Sequence, residues 1–170
     1  MQLYLVRHAD AVAEQEDTRR PLSTRGRAEC ARLVAFFQRN GALHPVQFWH
    51  SPLLRALETA RLLAEGLKLD AALVETPGLR PEDDPVEIVT RIEEMNTKMD
   101  LALVGHEPHL SALATLLVRG KLRPVGFEVK KGAVLAFEPA GGVHKKSGRR
   151  RWHALWQVDP ALLGPASDRA

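Results

Sequence analysis

The stretch Leu3-Tyr4-Leu5-Val6-Arg7-His8 places a short apolar run immediately before two basic residues. A short apolar run of this kind predicts a strand. Val46–Trp49 and Leu101–Val104 are further predicted strands, and a predicted helix follows each of the three. Strands that alternate with helices favour an α/β fold. We expect a three-layer sandwich in which helices cover both faces of a mixed, mostly parallel sheet.

Apolar residues at helical spacing, together with capping residues, predict four helices. The first begins after Ser23 or Thr24 and ends at Asn40-Gly41, and the second runs from Ser51-Pro52 to about Leu67. The third spans Val86–Met95, and the fourth spans Pro108–Val118. Four further segments have strand character: Ala72–Val74, Phe127–Val129, Ala133–Phe137 and Trp152–Val158. The late strands have no helices between them, which indicates antiparallel additions at one edge of the sheet.

The chain has 170 residues, of which 45% are hydrophobic and 26% are charged. This composition is typical of a folded globular protein, and we predict a single domain over residues 1–160 with a flexible tail over 161–170. No apolar run approaches the roughly 18 residues of a membrane span, and the first residues do not read as a signal peptide. Cys30 is the single cysteine, so no internal disulfide can form. We therefore expect a cytoplasmic protein without a membrane partner.

Positive charge is concentrated late in the chain. The net charge is +3, but residues 119–151 hold ten Lys and Arg against two acids. The densest part is the basic stretch Lys145–Arg151, which lies in a predicted Gly-rich turn over 141–151 and is followed by Trp152. Such a stretch could bind nucleic acid, but no nucleic-acid-binding motif accompanies it. We therefore favour a charged hairpin turn over a nucleic-acid site.

Basic side chains follow three of the predicted strands. Arg7 and His8 end the first strand, Arg55 lies one turn into the helix that follows Val46–Trp49, and His106 follows Leu101–Val104. The carboxyl ends of parallel strands meet at one edge of a sheet, where open α/β folds bind ligands. Arginine offers a forked cationic donor that suits phosphate oxygens, and histidine can act as a nucleophile or a donor. The sequence therefore predicts an anion pocket at this edge.

Four ordered segments resemble the histidine phosphatase superfamily, which includes the phosphoglycerate mutase-like enzymes. The chain is most similar within it to the SixA group of phosphohistidine phosphatases. The matching segments, in chain order, are Leu5–Ala11, Arg20–Gly26, Ser51–Ala60 and Val104–Pro108. The resemblance covers about residues 1 to 138 and implies the same α/β fold.

The resemblance also implies roles for single residues. His8 would be the nucleophile that becomes phosphorylated, and water would then hydrolyse phospho-His8. The family pattern implies that a set of cationic and imidazole groups holds the phosphoryl oxygens: Arg7, Arg20, Arg55 and His106. No cofactor is implied. Scattered histidines without ligand spacing also predict no metal site.

The sequence departs from the family pattern at two positions. Ala9 stands where the family has glycine after the histidine; we expect alanine to be tolerated unless the backbone there has positive φ. Mutase-like members carry a glutamate two residues after a leucine in the loop that follows the third strand. Here Leu79 is followed by Pro81, which cannot donate a proton. Glu82 and Asp83 are candidate replacement acids; a solvated acidic loop is the alternative.

We therefore predict a metal-independent phosphatase that acts through a phosphohistidine enzyme intermediate. The preferred substrate is phosphohistidine on a protein of the histidine phosphotransfer domain type. Short insertions between the motifs favour an open site that admits a protein side chain. The alternatives are a phosphatase for a small phosphorylated metabolite and a non-catalytic module that binds a phospho-ligand or nucleic acid.

Overall fold

A computed structural model describes residues 1–95 and 98–164 of the chain. Its elements, in chain order, are β1 (Leu3–Arg7), α1 (Thr24–Asn40), β2 (Gln47–His50), α2 (Leu54–Gly66), β3 (Ala72–Glu75), α3 (Pro85–Glu94), β4 (Leu101–Gly105), α4 (His109–Arg119), β5 (Val134–Val143) and β6 (Arg150–Val158). A 3₁₀ turn, Pro160–Leu162, takes up the start of the predicted tail, and residues 165–170 of that tail lie outside the described residues. Within the described ranges, no helix is long and apolar enough to cross a membrane.

The six strands form one mixed sheet in the order β3-β2-β4-β1-β5-β6. The first four strands in this order are parallel; β5 pairs antiparallel with β1, and β6 pairs antiparallel with β5. Helix α1 packs on α2, and α3 packs on α4. The predicted fold, a mostly parallel sheet between two helical layers, is confirmed.

Side chains of β1 enter two separate cores. Leu3 and Leu5 pack in the core that lies under α3 and α4, whereas Tyr4 and Val6 pack in the core under α1 and α2. All four residues are fully buried. Successive residues of a strand point to opposite faces, so a strand covered on both sides must be apolar throughout. This explains the unbroken apolar run.

Helix α1 begins and ends where the capping residues predict. The Ser23 hydroxyl accepts a hydrogen bond from the Gly26 N–H at 3.1 Å, and Gly41 ends the helix in the left-handed region at φ 64°. Helix α2 differs from the prediction, because it begins at Leu54 and not at Ser51-Pro52. The Ser51 hydroxyl is instead directed towards the sheet edge, where it contacts His106 at 2.9 Å.

The predicted strand Phe127–Val129 is wrong, because this segment is irregular. Side chains bind its backbone in place of a neighbouring strand. The Arg7 Nη1 donates to the Val129 carbonyl at 2.9 Å, and the Gln157 amide donates to the Glu128 carbonyl at 3.0 Å. Single side-chain hydrogen bonds from β1 and β6 therefore bind the backbone of this segment, where a strand would have a ladder of backbone hydrogen bonds.

Strands β5 and β6 form a hairpin longer than predicted, with Val143 paired to Arg150. Its turn is confined to residues 144–149, so the basic stretch lies in and beside this turn. Arg149 folds back on α3, where its guanidinium is 3.3 Å from the Glu93 carboxylate. Because β5 runs antiparallel to β1, the hairpin turn lies on the side of the sheet opposite the carboxyl ends of β1 and β4.

Gly26 allows α1 to approach the loop that follows β1. A Cβ atom at this position would lie 1.9 Å from the Asp10 carbonyl oxygen. The same carbonyl accepts a hydrogen bond from the Ser23 N–H at 3.0 Å. The start of α1 and the loop after His8 are therefore in direct backbone contact.

We expect Gly26→Ala to destabilise the fold by roughly 1–3 kcal/mol, because the added methyl group overlaps backbone atoms that have little freedom to shift. The thermal midpoint should fall by several degrees, measured by circular dichroism. Gly126→Ala is the matched control: its Cβ would meet only the flexible Arg119 side chain, at 3.9 Å. Equal midpoints for the two variants would contradict the proposed close approach.

Candidate active site

The ends of β1, β2 and β4 bring three polar side chains to one edge of the sheet. Arg7 pairs with Gly105, and His50 pairs with Val104. The backbone ladder continues one residue further, since the His8 N–H donates to the Gly105 carbonyl and the Ser51 N–H donates to the Val104 carbonyl, both at 3.0 Å. Residues 8, 51 and 106 therefore meet directly beyond the strand ends.

His8 is oriented by a hydrogen bond to its own loop. Its Nδ1 lies 2.7 Å from the Ala9 carbonyl oxygen, which can only accept. Nδ1 must therefore carry the proton in the neutral ring, and Nε2 keeps a lone pair. The Arg55 Nε donates to this Nε2 at 3.3 Å.

Burial lowers the pKa of His8 to about 4, and the positive charges of Arg55, Arg7 and Lys131 act in the same direction. Only the hydrogen bond with the Ala9 carbonyl opposes this shift. The ring is therefore neutral near pH 7. A neutral, oriented imidazole with a lone pair on Nε2 is a nucleophile that requires no further deprotonation.

His106 lies beside His8, with 4.9 Å between the ring centroids. Its Nε2 is 2.9 Å from the Ser51 hydroxyl, and its Nδ1 is buried with no hydrogen-bond partner in the described part of the chain. Burial lowers the pKa of His106 to about 3, and electrostatic coupling to the His8 and His109 rings and to Arg55 and Arg7 acts in the same direction. The neutral ring carries one N–H: when the Ser51 hydroxyl donates to Nε2, this proton lies on Nδ1, the nitrogen without a partner.

Arg7 and Arg55 supply the cationic donors. The Arg7 Nη1 is bound to the Val129 carbonyl, and its Nε is buried without a partner among the described residues. Arg55 is the second residue of α2; burial, followed by the nearby charge of Arg20, lowers its pKa, but an arginine stays protonated near neutral pH. Unpaired N–H groups of half-buried cations favour an anionic ligand.

Arg20 approaches the pocket from the loop between β1 and α1. Its backbone has φ 51°, in the left-handed region that residues other than glycine rarely adopt. Its Nε donates to the Val12 carbonyl at 3.3 Å. The charge of Arg20 is close enough to lower the pKa of Arg55. The structure therefore brings Arg7, His8, Arg55 and His106 together at the sheet edge, and the charge of Arg20 acts on Arg55.

Ala9 fits its position without strain. It is absent from the described residues with positive φ, and it is fully buried against Leu22 and Cys30. Its N–H donates to the Thr59 hydroxyl at 3.1 Å. The departure from glycine is therefore compatible with the backbone here.

Among the described residues, neither Glu82 nor Asp83 makes a hydrogen bond or an ion pair with Arg7, His8, Arg55 or His106. Asp83 accepts a hydrogen bond from the Arg80 N–H at 2.7 Å, and the Glu82 side chain is 68% exposed, with its carboxylate 4.0 Å from Arg80. Their loop does reach the site edge, because a Cβ on Gly105 would meet the Leu79 carbonyl at 3.3 Å. A movement of the loop would be needed to bring either acid to the pocket.

Three supporting residues are not among the predicted site residues. Ser51 and Thr59 lie in the family-like segment Ser51–Ala60, and Lys131 lies in the basic region 119–151. Thr59 accepts from Ala9 and donates to the Arg55 carbonyl at 2.7 Å, so it joins two parts of the site. Its spacing from Arg55, one helical turn, is the signal that could have revealed it.

Potential metal ligands do not cluster at this edge. Among residues 1–95 and 98–164, no group of three or more His, Cys, Asp or Glu side chains has an arrangement that could hold a metal ion. The positive charge in the pocket comes from arginine side chains.

Known proteins with similar sequences include phosphatases that belong to the histidine phosphatase superfamily. A model of the histidine phosphatase superfamily (branch 1) matches residues 3–81. An uncharacterized protein of Picosynechococcus sp. is 33% identical over 168 residues, covering 96% of this chain and 95% of that protein. Phosphohistidine phosphatase SixA of Escherichia coli is 27% identical over 167 residues, covering 96% of each chain.

Solved structures share the fold. A structure of the protein histidine phosphatase SixA complexed with tungstate superposes with a TM-score of 0.75 at 22% identity, covering 95% of this chain and 98% of that one. A mycobacterial glucosyl-3-phosphoglycerate phosphatase superposes with a TM-score of 0.65 at 17% identity, covering 91% and 98%. The sequence matches, the shared fold and the site geometry together show that the chain is a phosphatase that belongs to the histidine phosphatase superfamily and is similar to SixA.

Proposed function

We propose that the protein is a metal-independent phosphatase that transfers a phosphoryl group to Nε2 of His8 and then to water. The state of His8 is the observation that carries this proposal. Its Nδ1–H is bound to the Ala9 carbonyl, its pKa is lowered to about 4, and its Nε2 lone pair lies 3.3 Å from the Arg55 Nε. A nucleophile beside cationic donors is the arrangement that phosphoryl transfer requires.

The proposed reaction has two steps. In the first, Nε2 attacks phosphorus, the bond to the leaving group breaks, and the leaving group departs with its electron pair. In the second, a water oxygen attacks phosphorus, the P–Nε2 bond breaks, and inorganic phosphate is released. The N–H groups of Arg7, Arg55 and His106 would stabilise the charge on the phosphoryl oxygens in both steps.

We propose phosphohistidine on a protein, of the histidine phosphotransfer domain type, as the substrate. An alkoxide leaving group needs a proton donor, but Pro81 cannot donate, and the contacts of Asp83 and Glu82 are with Arg80 of their own loop. An imidazole leaving group has a conjugate acid with a pKa of roughly 6.5 and departs without such help. The likeness to SixA of Escherichia coli supports this choice.

A small phosphorylated metabolite is the alternative substrate. The shared fold with a mycobacterial glucosyl-3-phosphoglycerate phosphatase favours it, because the same architecture there belongs to an enzyme named for a small substrate. A panel assay that compares a phosphorylated histidine phosphotransfer protein with sugar and nucleotide phosphates separates the two. Highest kcat/KM on the protein supports our proposal; highest kcat/KM on a sugar phosphate contradicts it.

We expect His8→Ala to lower kcat/KM by at least about 10³-fold, because the variant has no atom to accept the phosphoryl group. Acid-labile phosphate should be trapped on the wild-type protein and located at His8 by mass spectrometry. Assays in a metal chelator should give the same activity as assays without it. His153→Ala, an exposed histidine on β6, is the control and should retain activity. Near-normal turnover by His8→Ala would refute the proposed intermediate.

We expect Arg55→Lys to lower kcat/KM by roughly 10²-fold, because lysine keeps the charge but loses the forked donor geometry. Arg61→Lys is the matched control, since Arg61 is exposed on the same helix. Steady-state kinetics on one substrate compare the two variants. If both lysine variants match the wild type, Arg55 does not bind the phosphoryl group.

We expect kcat/KM to fall steeply as the pKa of the leaving group rises, because a positioned acid, which normally contributes roughly 10²- to 10⁴-fold, is missing. The measurement is a series of aryl and alkyl phosphates for the wild type, Glu82→Gln and Asp83→Asn. Both variants should show the wild-type slope. A flat wild-type dependence that turns steep in one variant would identify that carboxylate as the donor.

A further inference from the structure

Lys131 lies at the rim of the phosphoryl pocket, in a segment that is bonded to the end of β1. The Gly132 N–H donates to the His8 carbonyl at 3.1 Å, and the Arg7 N–H donates to the Ala133 carbonyl at 3.0 Å. The Arg7 guanidinium holds the Val129 carbonyl on the other side. The backbone that carries Lys131 is therefore positioned by the two residues that begin the anion site.

Asp10 fixes the direction of the Lys131 side chain. The Lys131 ammonium is 2.6 Å from Asp10 Oδ1, and the Ser23 hydroxyl donates to Asp10 Oδ2 at 2.7 Å. Burial alone would raise the pKa of Asp10, but the hydrogen bonds from Lys131 and Ser23 outweigh it and hold the pKa below its usual value. Asp10 is thus an ionised anchor and not a proton donor.

The ammonium retains binding capacity after this contact. A lysine ammonium has three N–H donors, and Asp10 Oδ1 accepts one. The Lys131 side chain is 46% exposed, so the remaining donors are accessible from solvent at the mouth of the pocket. The charge of Lys131 is also one of the three cationic charges that act on the His8 ring. Lys131 is therefore both close to the reacting ring and open to a ligand.

We propose that Lys131, held by Asp10, is a specificity-determining residue that binds a carboxylate adjacent to the phosphohistidine of a protein substrate. The phosphoryl oxygens themselves have donors deeper in the pocket, from Arg7, Arg55 and His106. The exposed Lys131 ammonium at the rim instead contacts the part of the protein substrate that stays outside the phosphoryl pocket. This inference rests on the proposed function, since it specifies the protein surface around the phosphorylated side chain.

The test uses phosphohistidine peptides that differ only in Glu or Gln at each position flanking the phosphohistidine. The wild type should show kcat/KM roughly three- to tenfold higher for Glu at one of these positions, the range expected of a partly exposed charge pair. This preference should shrink as salt is added, because exposed charges are screened. Lys131→Met should abolish the preference.

Lys130→Met is the matched control and should keep the preference. Lys130 is the adjacent residue and carries the same charge, but its ammonium lies 3.7 Å from the Asp159 carboxylate. A ratio of Glu to Gln near one in the wild type, or an unchanged ratio in Lys131→Met, overturns the inference while phosphohistidine hydrolysis itself stands. Absence of hydrolysis of any phosphohistidine peptide or protein overturns both this inference and the proposed substrate.

Discussion

Arg7 of β1 pairs with Gly105 of β4, and the two following residues, His8 and His106, lie with ring centroids 4.9 Å apart. The rest of the site depends on this register. A slip of one residue would send His8 to the opposite face of the sheet and would exchange the side chains that enter the two cores. Because β1 contributes two fully buried side chains to each core, the packing of apolar side chains indirectly holds the position of the His8 ring.

Helix α2 connects the strand register to the loop around the pocket. Arg55 points to His8, Thr59 accepts from the Ala9 N–H, and Glu58 accepts from the Leu22 N–H at 2.6 Å. One helix therefore supplies a cationic donor together with two anchors for the loop between β1 and α1. This loop also carries Arg20, whose charge acts on Arg55 although Arg20 lies outside any strand or helix.

Burial and like charge together determine the chemistry of the pocket. Both imidazoles are buried among cations, so both are neutral, and protonating either one would add positive charge to a site that already holds two arginines. An anionic ligand reverses this balance, because it supplies the counter-charge and the acceptors that the arginine N–H groups lack. The same electrostatics that disfavour protonation of His8 thus favour the binding of a phosphoryl group.

The sequence by itself determined the alternation of strands and helices from β1 to α4, the mixed sheet covered on both faces, and the residues at three strand ends. These depend on local patterns, such as the apolar run of β1 and the Ser23 and Gly41 caps, and on the carboxyl ends of parallel strands sharing one edge. Only the tertiary structure decided which distant groups act on that edge. The irregular path of residues 127–129 and the contacts of Ser51, Thr59 and Lys131 arise from hydrogen bonds between segments far apart in the chain, and such bonds have no local sequence period.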